Sequence, residues 1–241
     1  MPFQGSLIRL PVHVLAAPDL PADAPVLLAS GGVDSWKMDL HALFVAFALN
    51  TPARVLAFDI PGTGECPIPL SGESVELVDS LVAHARKVSD GTVAHLGISM
   101  GGYFSAATGL KGSVDAAIVL GGPVDAAFAP GRTFQFGMAD IVANAFGFDQ
   151  PPSEDEMEQH RRQLSLRPLL EGDENSPMLV VNGADDVHVP QDDTLVFEAR
   201  RDTRVELLPD TGHCATSKLS DVVPLMIGWL NETIAATGAP R

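Results

Sequence analysis

Val93-Ala-His-Leu-Gly97-Ile98-Ser99-Met100-Gly101-Gly102-Tyr103-Phe104 decides how this chain folds. Val93 to Leu96 is an apolar run of the kind that forms a strand buried on both faces, and helix-forming residues follow Gly101. Between them Gly97 to Gly101 has the Gly-x-Ser-x-Gly spacing, so the chain must turn from strand to helix at the serine. That turn needs strained dihedrals, and flanking glycines let the neighbouring backbone come close. The hydroxyl then projects from the sheet edge at the amino end of a helix, where the dipole favours negative charge. Gly-x-Ser-x-Gly alone arises by chance. Its strand-turn-helix setting is what makes Ser99 the candidate nucleophile.

Outward from this turn, similar short apolar runs recur at Pro25 to Ser30, Arg54 to Asp59, Ala116 to Leu120, Pro177 to Asn182 and Arg204 to Leu208. Helical stripes fall between or after them, as at Val75, Val78, Leu81, Val82, Ala85 and Val88, and again from Leu219 to Leu230. Such alternation predicts one α/β domain over 1–241, with a mostly parallel central sheet and helices on both faces. Leu7 to Leu15 reads as an extended, hairpin-like start. The segment from Asp125 to Leu170 is too long for one crossover, and it holds five of the 11 phenylalanines followed by the polar helical stretch Ser153 to Gln163. It is expected to form a small helical cap over a pocket.

A serine hydroxyl needs a base within hydrogen-bond reach. His213 stands in the loop after the last predicted strand and before the last helix, where a base serving Ser99 is delivered. His188 ranks second, because it is close in sequence to the acid; His84 and His160 fall in helical stretches and are expected to be solvated. The acid belongs on the loop after the penultimate strand, where Asp185 and Asp186 are both available. The Gly183-x-x-Asp186-x-x-x-Pro190 spacing favours Asp186. The oxyanion formed by attack on a carbonyl needs preorganised N–H donors. Met100, just after the nucleophile, should give one, and Gly32 or Val33, in the loop after the strand ending at Ser30, the other. Trp36, Phe134, Phe136 and Met138 are expected to line an apolar pocket for a small-molecule substrate.

Composition narrows the function further. The chain has 241 residues and a formal net charge of −16, which disfavours nucleic acid and anionic membrane as partners. Its 2 cysteines, Cys66 and Cys214, are too few for a disulfide framework and are expected to be small apolar core residues in a reducing, cytoplasmic compartment. The start carries no basic-then-apolar leader, and the longest apolar run, within His41 to Leu49, is too short to span a bilayer. No metal-ligand cluster and no phosphate-binding glycine loop is apparent, so no metal or other cofactor is expected.

The elbow and the chain order Ser99, Asp186, His213 resemble the α/β-hydrolase superfamily over essentially the whole chain. More narrowly, Ser30-Gly-Gly-Val-Asp34-Ser35-Trp36-Lys37-Met38-Asp39 and Leu120-Gly121-Gly122-Pro-Val resemble the fermentation-respiration switch protein (FrsA-like) esterase group, which includes a carbon-carbon hydrolase of nicotine breakdown. The resemblance implies a serine hydrolase, with Asp34 bracing the oxyanion loop and Asp39 capping the following helix. It also implies that Asp59-Ile-Pro-Gly-Thr-Gly64 is a supporting turn. Members of that group carry a long N-terminal helical domain that helps close the site, whereas here the first strand begins within a dozen residues of Met1. The pocket is therefore expected to be roofed by 125–170 or by a second copy of the chain in a homodimer, or to stay open.

Overall fold

A computed structural model describes residues 1–89 and 91–237. The chain starts with a two-stranded hairpin, β1 (Pro2–Phe3) and β2 (Ser6–Leu7), followed by β3 (Val12–Leu15), β4 (Val26–Ser30) and helix α1 (His41–Asn50). Next come β5 (Arg54–Phe58), α2 (Val75–Val88), β6 (Val93–Ile98), α3 (Met100–Leu110) and β7 (Ala116–Leu120). The segment between sheet strands then holds α4 (Met138–Ala145), α5 (Glu154–Arg162) and α6 (Arg167–Leu170). The fold closes with β8 (Met178–Gly183), α7 (Asp192–Leu195), β9 (Thr203–Leu208) and α8 (Leu219–Thr237).

Seven strands form the main sheet in the order β3-β5-β4-β6-β7-β8-β9. All neighbours are parallel except β3, which runs antiparallel to β5 with Val12 opposite Phe58. Every residue of β4, β6, β7 and β8 is buried, as the unbroken apolar runs require of strands covered on both faces. On one face Val26, Leu28, Ala117 and Val119 pack with α2 and α3. On the other Leu27, Ala29, Ile118 and Leu120 pack with α1 and α8. Alternate residues of one strand thus feed two cores. Truncating a fully buried leucine such as Leu27 or Leu28 would cost about 2–5 kcal/mol.

Local sequence explains the ends of the inserted helices. Ser153 caps α5, accepting the Glu156 N–H while the Glu156 carboxylate accepts the Ser153 N–H, a reciprocal capping box. Asp193, buried on α7, accepts N–H bonds of 2.6–3.1 Å from Val124, Asp125, Ala126 and Ala127 and so moors the start of the insertion. Asp39 does not cap α1: its Oδ2 accepts the Trp36 N–H at 2.8 Å and closes a turn ahead of the helix. His160 is not simply solvated, since its ring packs 5.3 Å from Phe146 and 4.8 Å from Phe148. Among the described residues no helix is long and apolar enough to cross a membrane.

Candidate active site

Parallel strands bring their carboxyl ends to one edge, and the loops leaving β4, β6, β8 and β9 carry the candidate residues there. Ser99 follows β6 directly with φ 54° and ψ −123°, a left-handed conformation that costs on the order of 1–3 kcal/mol in a non-glycine residue. The surroundings enforce it. A Cβ on Gly97 would strike the Gly101 carbonyl, and one on Gly101 would lie 2.6 Å from Ser30 Oγ, so the elbow closes only with glycine at both places. Ser99 N–H is held by the Leu120 carbonyl at 2.8 Å, which ties the turn to the neighbouring strand.

Ser99 Oγ lies 2.8 Å from His213 Nε2, and His213 Nδ1–H donates to Asp186 Oδ2 at 2.7 Å. The structure therefore brings the three side chains together in one line. Asp186 Oδ1 accepts the N–H groups of His188 at 2.8 Å and Val189 at 3.1 Å, and Oδ2 also accepts Asn182 Nδ2 at 2.8 Å. Asp185 is exposed and takes no part; its N–H goes to the Thr211 carbonyl. Burial alone would push the Asp186 carboxyl up, but the bonds from His213, Asn182 and the backbone outweigh it and hold the group below the ordinary carboxylate value. Burial likewise works against charge on His213, and the Asp186 carboxylate overcomes it and raises the imidazole. Within the fold a second histidine shows what burial does unopposed: His95, with Nδ1 on Thr108 Oγ1 and no carboxylate, is pushed down to about 3.

Asn182, fully buried at the end of β8, was not singled out by its sequence setting. Its Nδ2 holds Asp186 while its Oδ1 accepts the Cys214 N–H at 3.0 Å, so one amide grips both the loop that carries Asp186 and the loop that carries His213. Beyond it Cys214 and Ala215 both adopt positive φ, a tight coil that turns the chain back into α8. Cys214 is buried and Cys66 half-buried. His188 does not reach Ser99; its ring stands edge-on to His213 at 5.3 Å.

The loop after β4 departs from expectation in one respect. Gly32 N–H donates to Ser35 Oγ at 3.3 Å, so it is engaged within its own turn, whereas the N–H groups of Val33 and Met100 have no partner among the described residues. Gly32 matters instead through close approach: a Cβ there would lie 3.1 Å from Ser99 Oγ. Asp34 lines the cavity and makes no bracing hydrogen bond among the described residues. The bracing comes from Lys37, 1% exposed, whose N–H donates to Asp59 Oδ1 at 2.9 Å and whose ammonium pairs with Asp59 Oδ2 and with Glu65 at 2.7 Å. Asp59 also accepts the Glu65 N–H, so the 59–65 turn and the loop after β4 are clasped together.

Beside Ser99 and His213 lies a cavity of about 120 Å³, on the order of the roughly 150 Å³ that admits a benzene-sized guest. Phe134 and Met138 line it, together with Phe128, Val142, Phe146 and Leu164 from the insertion. Trp36 and Phe136 do not. Trp36 is 47% exposed because its neighbour Lys37 occupies the inward position, and Phe136 is 83% exposed, its ring resting 6.0 Å from His188 outside the cavity. Arg132 and Arg161 also line it, Arg161 from within the polar helical stretch Ser153 to Gln163.

No family model matches the chain, and no curated protein matches it by sequence. Solved structures do resemble it. A 2,6-dihydroxy-pseudo-oxynicotine hydrolase superposes with TM-score 0.73 at 19% identity over 96% of this chain and 70% of that one. Est1E from Butyrivibrio proteoclasticus, solved with ferulic acid, gives 0.72 at 18% over 96% and 97%. A meta-cleavage product hydrolase from Pseudomonas fluorescens gives 0.60 at 20% over 93% and 95%. These likenesses show the fold, which is that of the α/β-hydrolases.

Proposed function

We propose that this chain is a serine hydrolase that cleaves a small hydrophobic or aromatic carboxylic ester or lactone through an acyl-enzyme. The observation that carries this is the continuous relay of 2.8 Å from Ser99 to His213 and 2.7 Å from His213 to Asp186, opening on an apolar cavity of fitting size. Ser99 Oγ attacks the carbonyl carbon as His213 Nε2 takes its proton. The N–H groups of Val33 and Met100 receive the oxyanion, each lowering the barrier by roughly 3–4 kcal/mol. His213 then gives its proton to the leaving oxygen. Water attacks the acyl-enzyme, His213 again takes the proton, and the acid departs with Ser99 restored. Asp186 keeps the imidazole in the tautomer that accepts at Nε2.

The Gly31-Gly-x-Asp34-Ser35 element and the likeness to the pseudo-oxynicotine hydrolase support a place in the FrsA-like group. That likeness and the meta-cleavage hydrolase also favour a second reading, hydrolysis of a carbon-carbon bond in a β-diketone-type substrate by the same Ser99.

A fluorophosphonate probe tests the nucleophile. Wild type should label and Ser99→Ala should not; no labelling of wild type, or equal labelling of the variant, overturns the proposal. Asp186→Asn should cut turnover on the order of 10⁴-fold, the scale known for amide replacement of a triad acid, while Asp185→Asn should leave it near wild type. Esters of increasing chain length, run beside a β-diketone panel, separate the two substrate readings.

A further inference from the structure

Arg161 is a buried charge that the hydrolytic chemistry does not use. It lies on α5 with 6% of its surface exposed and lines the cavity beside Ser99. Its Nη1 donates to the Arg132 carbonyl at 2.7 Å, and the guanidinium carbon sits 5.2 Å over the Phe134 ring. Nε is buried with no partner among the described residues. The acid one helical turn earlier, Glu158, is taken by Arg162, and Arg161 forms no ion pair among the described residues.

A guanidinium does not shed its proton at working pH, so its charge persists when it is buried. An uncompensated charge in such a place is worse for stability than an apolar side chain of the same size. A water molecule could satisfy Nε–H but would leave the charge unbalanced. Carboxylates are not scarce, since the chain has 31 acidic residues against 15 lysines and arginines. Yet Asp34 is the one acid lining the cavity among the described residues, and it sits at the catalytic end, where a Cβ on Gly32 would meet both its Oδ1 and Ser99 Oγ. At the Arg161 end the neighbouring cation is Arg132. Burial pushes the Arg161 guanidinium below its ordinary value, with Glu158 opposing that shift and Arg132 reinforcing it.

We propose that the substrate of this cavity carries a carboxylate, which supplies the missing counter-charge to Arg161 while the apolar body of the molecule reaches the scissile carbonyl at Ser99. The proposal rests on reading the cavity as the substrate site of a hydrolase. A planar carboxylate matches the guanidinium edge left by the bond from Nη1 to the Arg132 carbonyl, where Nη2 and, after a small shift, the buried Nε offer two parallel N–H donors. Phe134 stacks behind that plane and limits its rotation.

The test compares p-nitrophenyl hydrogen adipate with p-nitrophenyl heptanoate, corrected for spontaneous hydrolysis. Wild type should prefer the hemiester at least tenfold in kcat/KM, mainly through KM. Arg161→Met should lose that preference, and Arg161→Lys should keep part of it. Free adipate should inhibit wild type competitively, and inorganic phosphate should do so at least tenfold more weakly. Equal kcat/KM for the two esters in wild type, an undiminished preference in Arg161→Met, or phosphate binding as well as adipate overturns the proposal. Should Arg161→Met fail to fold, Arg161→Gln and the inhibition series decide.

Calorimetry of adipate against adipamide on Ser99→Ala separates this proposal from the one beneath it. Carboxylate-selective binding without any ester turnover in wild type would uphold the anion site and remove the hydrolase reading. Turnover of neutral esters without selectivity would do the reverse.

Discussion

Lys37 is 1% exposed and held by Asp59 and Glu65, whereas Arg161 is 6% exposed and forms no ion pair among the described residues. Both are cations taken out of water, a step that costs several kcal/mol unless it is compensated. Around Lys37 the compensation is built into the chain: Asp59 opens one loop, Lys37 stands in another, and each satisfies the other where it keeps the loop after β4 still. Around Arg161 the chain provides a carbonyl and a ring. The first arrangement belongs to the scaffold, and the second leaves an interaction for something that arrives.

The comparison is most exposed to Asp59→Ala. Removing that carboxylate leaves the ammonium with Glu65, whose side chain is 63% exposed, and stability should fall by about 3–5 kcal/mol. For a chain of this size that is roughly 10 °C or more in melting temperature. Urea unfolding that shows a loss under 1 kcal/mol would mean that Lys37 escapes to water and that the clasp is incidental.

The pH dependence of the same pair gives a smaller effect. Burial opposes both charges, but mutual bonding wins, lowering Asp59 from its ordinary 3.8 and raising Lys37 from its ordinary 10.5. The Asp59 share of stability is therefore present above 3.8 and lost as pH falls through its folded value. The Lys37 share is present below 10.5 and lost as pH rises through its folded value. The stability gap between wild type and Asp59→Asn should be level across neutral pH and shrink in acid. A gap unchanged through the acid unfolding range would break the assignment.

Arg161→Met should move stability least, staying within about 1 kcal/mol of wild type or rising above it, because an apolar side chain replaces an unpaired charge. A loss above about 2 kcal/mol on chemical unfolding would show that the bond to the Arg132 carbonyl pins the insertion. His213 and His95 offer a parallel contrast, and it sharpens the picture of the relay. Only His213 has a carboxylate to offset burial, so the acid limb of kcat/KM, which rises as the base deprotonates, should lie above the ordinary imidazole value of 6.5. It should move to lower pH in Asp186→Asn. A limb that does not move would detach Asp186 from the base.

The parts of this molecule set by local pattern were legible in the sequence. The runs at Val93–Ile98 and Ala116–Leu120 are strands to the residue, and the glycines around Ser99 specify the one turn that fits between β6 and α3. Loop spacing distinguished Asp186 from Asp185 as the neighbour of His213. What depends on where a loop side chain points was not legible. Trp36 turns outward because Lys37 finds Asp59, 22 positions away in the chain, and no periodicity in the loop announces that. Arg161 sits among acids and bases in α5 like any solvated residue, and its burial comes from Phe134 and Arg132 across the insertion. Position alone suits Gly32 and Val33 equally as donors, and only the fold shows that Ser35 takes the Gly32 N–H.

The double grip of the Asn182 amide has a mechanical consequence. Asp186 and the stretch following His213 cannot separate without surrendering two hydrogen bonds inside the protein, at about 1–3 kcal/mol for each group left unsatisfied. The relay is thus the fixed jaw of a vice. Clearance for an incoming molecule has to come from the opposite jaw, where Phe134, Met138 and Arg161 stand on the insertion between β7 and β8.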